Sequence, residues 1–189
     1  MARIAIFGGS FNPPHVVHGM VSAWIRWTRA ADEVWFVPVF RHAFEGVHDK
    51  VLAPFDLRVG WCEAMVRDLG AGFAVCAIES RLPAPSYTID TLRALRSEHP
   101  EHTFRLVVGA DVIPALPRWR DWDSIAAEFD PLVVGRVGYE LPQGVETPLF
   151  PGVSSSEIRE RLAKGMSVQH LLTRSVLPLL DAGLFPGPD

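Results

Sequence analysis

The chain lacks the features that would tie it to a membrane, a disulfide scaffold or a nucleic acid. No apolar run reaches membrane-spanning length. A signal-peptide pattern is missing too, because Arg3 interrupts a very short apolar run that reaches glycine at once. The expectation is a cytoplasmic protein with no membrane partner. Two cysteines, Cys62 and Cys76, make neither a disulfide framework nor a zinc quartet, and are expected as core fillers without chemistry. With 18 Lys and Arg against 22 Asp and Glu the net charge is −4, and no basic run or aromatic-basic stripe argues for nucleic acid. Any phosphate site must be locally positive. Internal repeats and low-complexity tracts are absent. The glycine spacing GxGxxG is missing, and no Walker lysine follows the glycines near the start, which disfavours an NAD(P)-dependent oxidoreductase.

What is there suits one α/β domain. The 189 residues, 48% apolar, suffice for a sizeable core in a single domain spanning 1–189. Apolar β-rich runs at Arg3–Phe7, Glu33–Val37, Phe73–Ala77, Phe104–Val108 and Leu132–Val134 read as strands, with helices over Phe55–Asp68 and Tyr87–Glu98. That alternation predicts a doubly wound, Rossmann-like parallel sheet with right-handed crossovers. The stretch from Arg136 to Gly152 reads as a long irregular connection, and the tail after Gly183 is expected to fray.

The string Ile6 to Met20, IFGGSFNPPHVVHGM, carries the first chemical signal. A buried strand ends at Gly8-Gly9, where a parallel sheet opens a ligand crevice. A helix starting at Pro13-Pro14 would present His15 and His18 on one face. Free N–H groups at that start, glycines that admit a ligand and two imidazole donors together make an anion site. The second signal is VSSSEIRERL, from Val153 to Leu162. Ser154 followed by Glu157 is a capping box, so a helix begins there, with Ser156 and Arg159 sharing a face. Hydroxyl, backbone N–H, helix dipole and a guanidinium fork could hold a phosphate.

Together these strings resemble the nucleotidyltransferase superfamily, whose GG(S/T)F(D/N)P loop precedes an (H/T)xGH signature and whose second signature is ISSTxxR. Here the first reads His15-Val16-Val17-His18, with Val17 where the pattern has glycine, and the second reads VSSSEIR. The order of Pro85-Ser86-Tyr87-Thr88, Gly109-Ala110-Asp111, Trp119-Arg120-Asp121-Trp122 and Val133-Val134-Gly135-Arg136 is similar to the nicotinate-nucleotide adenylyltransferase family over nearly the whole chain. That likeness includes a C-terminal helical segment from Leu171-Leu172 to Leu184-Phe185. Between Pro38 and Arg58 the match is poorer. His42, His48 and Lys50 are the candidates there, against the alternative of solvated loop residues.

The resemblance implies transfer of AMP from ATP to nicotinate mononucleotide, with pyrophosphate leaving, in NAD biosynthesis. It implies catalytic roles for His18, His15 and Arg159. ATP would be bound by Phe7, Gly8, Gly9, Ser10, Phe11, Gly109, Asp111, Arg136, Ser155, Ser156 and Arg159. The pyridine mononucleotide would meet Tyr87, Thr88, Trp119 and Lys50. Mg²⁺ would enter as the ATP complex, with no dedicated protein ligands. The alternatives are an enzyme using nicotinamide mononucleotide or phosphopantetheine, and a catalytically weak nucleotide-binding protein, for which Val17 is the argument. The oligomeric state is left open, a homo-oligomer included.

Overall fold

In the computed structural model, which describes residues 1–42, 52–180 and 184–185, six parallel strands form one open sheet. In chain order they are β1 (Arg3–Gly9), β2 (Glu33–Pro38), β3 (Phe73–Val75), β4 (Thr103–Gly109), β5 (Leu132–Arg136) and β6 (Leu149–Phe150). Helices α1 (Val16–Trp27), α2 (Phe55–Leu69), α3 (Thr88–Glu98), α4 (Trp122–Glu128) and α5 (Ser155–Ala163) alternate with them. The spatial order is β3-β2-β1-β4-β5-β6. The winding therefore reverses between β1 and β4, and the crevice at a reversal lies beyond the carboxyl ends of the two strands.

The strands bury both faces because their residues alternate between two apolar layers. Ala5, Val34, Phe36 and Val107 point into a layer closed by Val21 and Ile25 of α1 and Trp61 and Met65 of α2. Ile4, Ile6, Val37, Leu106 and Val108 point the other way, under Ile89, Leu92 and Leu95 of α3 and Ile125 of α4. The helices present those residues three and four apart, which is the stripe a helix lays on a sheet. At the amino edge of the sheet, the Trp35 ring meets His99, His102 and Phe104 edge-on, and the Ala2 N–H donates to His102 Nδ1 at 3.3 Å.

Three local expectations are corrected. Helix α1 starts at Val16, after an extended His15, and not at Pro13-Pro14. A residue before proline is driven out of the α region, so Pro14 keeps Pro13 from being helical. The connection after Arg136 is interrupted by β6, which pairs Leu149 with Gly135 and Phe150 with Arg136. The C-terminal segment forms two 3₁₀ turns, Gln169–Leu171 and Leu177–Leu179, in place of one long helix. They are tied to α2 where Trp61 Nε1 donates to Leu179 O at 3.3 Å and Ser175 donates to Asp68 from N at 2.8 Å and from Oγ at 2.6 Å. Among the described residues no helix is long and apolar enough to cross a membrane.

Ile25 is fully buried between α1 and the sheet, away from the crevice. Ile25→Ala should cost about 2–5 kcal/mol of unfolding free energy by loss of packing alone, read as a lower denaturant midpoint with an unchanged m-value.

Candidate active site

The loop from Gly8 to Pro14 leaves β1 at the reversal point and is shaped by what it lacks as much as by what it holds. A Cβ added at Gly8 would meet no protein atom within 4 Å, so that side of the backbone is open to the cavity. Phe11 takes a left-handed turn at φ 45° and is 2% exposed, wedged edge-on against Phe7, Phe36 and His18. Arg159 Nη1 donates to Asn12 O at 2.8 Å, and Ser155 Oγ donates to Pro13 O at 2.8 Å. The start of α5 is thereby docked on the loop. Ser154 caps that helix by accepting the Glu157 N–H at 3.1 Å, as its spacing predicts, while Glu157 turns to Arg161 at 3.0 Å.

The two histidines close the first turn of α1. Their rings stack with centroids 3.7 Å apart. The His15 N–H donates to His18 Nδ1 at 3.0 Å, so His18 takes the place of the acidic residue in a capping box. A neutral imidazole that accepts at Nδ1 carries its proton on Nε2, and His18 is therefore fixed as an Nε2–H donor. His15 Nδ1 is buried without a hydrogen-bond partner among the described residues, a demand that a ligand could meet. Burial, reinforced by Arg136, pushes His15 down to about 4. His18 is pushed well below the ordinary range by burial first, then by His15 and Arg136.

These groups line two adjoining cavities. The smaller, about 190 Å³, is ringed by Ser10, Phe11, His15, His18 and Arg136 on one side and Ser155, Ser156 and Arg159 on the other. Two of the five guanidinium N–H groups of Arg159 are taken, by Asn12 O and by Ser156 Oγ at 3.1 Å. The larger cavity, about 1240 Å³, has Phe7, Gly8, Gly9, Gly109, Asp111 and Arg136 on one wall and Tyr87, Thr88 and Trp119 on another. That volume exceeds the usual site for one small ligand. Arg136 lines both cavities, held by Asp111 Oδ2 at 2.5 Å and Val153 O at 3.2 Å. The carboxylate lies so close over the strand end that a Cβ at Gly109 would press on Asp111 Oδ1 and force the carboxylate away from its present place.

All but two of the sequence-predicted residues thus line the two cavities. Lys50, like His48, lies outside the described residues. His42 is brought in, its Nε2 2.8 Å from Ser10 Oγ. Val17, the departure from the glycine pattern, is 8% exposed and packs in the apolar layer while edging the larger cavity, and the first turn of α1 still forms around it. Sequence reasoning missed Arg118 and Arg120, which line the larger cavity beside Trp119. The Arg120 guanidinium sits 4.7 Å over the Tyr87 ring and pairs with Asp90 at 3.2 Å. It also missed Arg58, which lines the same cavity. Burial raises the thiols of Cys62 and Cys76, which disfavours the thiolate form of each. Among the described residues no group of three or more His, Cys, Asp or Glu could hold a metal ion.

The cytidylyltransferase-like family model matches residues 6–161. A probable nicotinate-nucleotide adenylyltransferase of Anaeromyxobacter sp. (strain K) is 42% identical over 189 residues, covering 98% of this chain and 97% of its own. One of Myxococcus xanthus (strain DK1622) is 34% identical over 184 residues, covering 97% and 94%. In fold, the chain is similar to the Plasmodium falciparum nicotinic acid mononucleotide adenylyltransferase complexed with NaAD, at a TM-score of 0.78 and 21% identity over 95% of this chain and 94% of that one.

Burial of neutral histidines makes stability depend on pH. The unfolded chain takes up protons at the ordinary histidine value of 6.5, whereas folded His15 resists until about 4. Stability should be complete above that upper value and decline as the pH falls towards the lower one, by up to about 1.4 kcal/mol per pH unit for each histidine. His15→Asn should make the decline shallower by one histidine's share, as measured by denaturant unfolding at a series of pH values.

Proposed function

The chain belongs to the cytidylyltransferase-like family, among its nicotinate-nucleotide adenylyltransferases, and we propose that it joins ATP to nicotinate mononucleotide, giving nicotinate adenine dinucleotide and pyrophosphate. The observation that carries this reading is the stacked histidine pair, with its fixed Nε2–H donor, in a small cationic cavity that opens into a much larger one. One domain supplies both halves of the site. A demand for ATP suits a cytoplasmic enzyme.

A phosphate oxygen of the mononucleotide attacks the α-phosphorus of ATP. The bond from that phosphorus to the bridging oxygen breaks, and its electron pair leaves with pyrophosphate. The attacking group is already an anion, so no protein nucleophile or strong base is needed, and catalysis rests on positioning and charge stabilisation. The His18 Nε2–H donates to the α- or β-phosphate as negative charge builds there, with His15 stacked beside it. Arg159, the Ser156 hydroxyl and the first N–H groups of α5 hold the departing phosphates. The Ser155 hydroxyl is spent on Pro13 O, so its share comes through its backbone N–H. Gly109 and Asp111 border the adenosine.

Divalent metal generally accompanies ATP in nucleotidyltransferases, and Mg²⁺ would neutralise charge on the polyphosphate. The donors around the smaller cavity are cations, imidazoles and hydroxyls, and the Asp111 carboxylate is occupied by Arg136. The residues thus fit an ion carried by phosphates and water.

The acceptor wall favours a pyridine that bears a carboxylate. Helix α3 starts after an extended Tyr87 with no side-chain cap, which leaves its first N–H groups and positive dipole end for an anion. Arg118 adds positive charge to the same cavity, where Arg120 is paired with Asp90, and Trp119, held edge-on to Trp122 at 6.1 Å, supplies a ring for stacking.

With Mg-ATP, pyrophosphate release should be strong with nicotinate mononucleotide and weak with nicotinamide mononucleotide or phosphopantetheine. A preference for either of the others would move the specificity. His18→Ala should lower kcat by on the order of 10²–10³-fold while the circular dichroism spectrum keeps its folded form.

A further inference from the structure

Arg58 is a cation in a position made for an apolar side chain. It stands on the buried stripe of α2, three and four residues before Trp61 and Cys62, and is 1% exposed. Among the described residues it has no carboxylate partner within ion-pair distance. Its Nε donates to Ala53 O at 2.9 Å and its Nη1 to Ser10 O at 2.9 Å, with the Phe55 ring 5.5 Å from the guanidinium carbon. Desolvating a guanidinium costs several kcal/mol, and one that has only the longer-range field of the Glu79 carboxylate to offset it calls for an explanation beyond packing.

The two carbonyls it grips close a ring of contacts onto the loop after β1. Ala53, whose carbonyl Arg58 holds, donates its own N–H to Asn12 Oδ1 at 3.1 Å. Ser10 and Asn12 are therefore fixed from the same side, one by the arginine and one through Ala53. The peptide between Ser10 and Phe11 is trans, so its C=O and N–H are antiparallel. Pinning the Ser10 carbonyl on Arg58 turns the Phe11 N–H to the opposite side. Ser10 and Phe11 both line the small cavity that also holds His18 and Arg159.

We propose that Arg58 is a positioning residue for adenylyl transfer: by gripping the Ser10 carbonyl it presents the Phe11 N–H to the polyphosphate and places a fixed positive charge behind the loop. This rests on the adenylyltransferase reading of the site for its effect on turnover, but its effect on phosphate binding does not. The fork matters as well as the charge. A lysine is a point donor that cannot hold the Ser10 and Ala53 carbonyls in one planar geometry.

The test compares R58M and R58K with the wild type by calorimetric titration of inorganic pyrophosphate and of adenosine, alongside steady-state kinetics with Mg-ATP and nicotinate mononucleotide. For R58M the pyrophosphate Kd should rise by on the order of 10-fold to 100-fold and kcat should fall by a similar factor. The adenosine Kd and the KM for the mononucleotide should stay as they are. R58K, which keeps the charge and loses the fork, should fall between R58M and the wild type in both. Ile25→Ala serves as the control for lost stability and should leave both Kd values unchanged. If R58M does not fold, R58K decides: weaker pyrophosphate binding with intact adenosine binding supports the proposal. Wild-type pyrophosphate affinity in R58K, or a loss shared equally with adenosine, overturns it. A wild-type enzyme that binds pyrophosphate but adenylylates none of the mononucleotides would refute the functional reading and leave the binding comparison to judge Arg58 separately.

Discussion

The constraint on which the site depends is the set of donors that hold the backbone carbonyls of the loop after β1. Gly9 O accepts the Val39 N–H at 2.9 Å, Ser10 O accepts from Arg58, Asn12 O from Arg159 and Pro13 O from Ser155. The donors come from the end of β2, from α2 and from α5, so no local rule shapes this segment. Pro13 and Pro14 have no N–H to offer a ladder, and Phe11 sits in a left-handed turn that bulky residues avoid. The loop has its form because three separately folded elements impose it. In turn it orients the amide groups and the histidines that follow.

Charge is arranged by the same burial. Arg136 and Arg159 stand fixed around the smaller cavity, and the two imidazoles between them are kept neutral by desolvation first and then by the Arg136 charge. Protonating both rings at 3.7 Å would set like charges against each other, so the pair offers donors without adding to the repulsion. An anionic ligand then enters a field whose dipoles and cations are already oriented, which is where electrostatic catalysis obtains most of its advantage.

The sheet was legible because its strands are short apolar β-rich runs set between helical stretches, the pattern of a parallel sheet buried on both faces. The loop was legible because glycines, serine and paired histidines behind a strand form a dense, ordered string. What escaped was too short or too distant. Strand β6 has 2 residues and α4 has 7, and neither length shows a period. The Asp111–Arg136 pair joins positions 25 apart across two strand ends, a juxtaposition that exists only once β4 and β5 are paired. Helix α1 was placed too early because the favourable reading of proline at a helix start hid the veto that Pro14 places on Pro13. Arg58 was different, since a cation in register with Trp61, Cys62 and Met65 is visible in the sequence as an arginine on an apolar face.

Because all the strands run the same way, the molecule has two unlike ends. The carboxyl edge is crowded with groups that each serve the crevice. The opposite edge, where Ala2 leans on His102 and Trp35 is packed among histidines, touches none of them, and Met1 is 98% exposed there. A handle attached at that terminus, whether a tag, a surface anchor or a fused partner, would point away from the catalytic mouth and leave it facing solution.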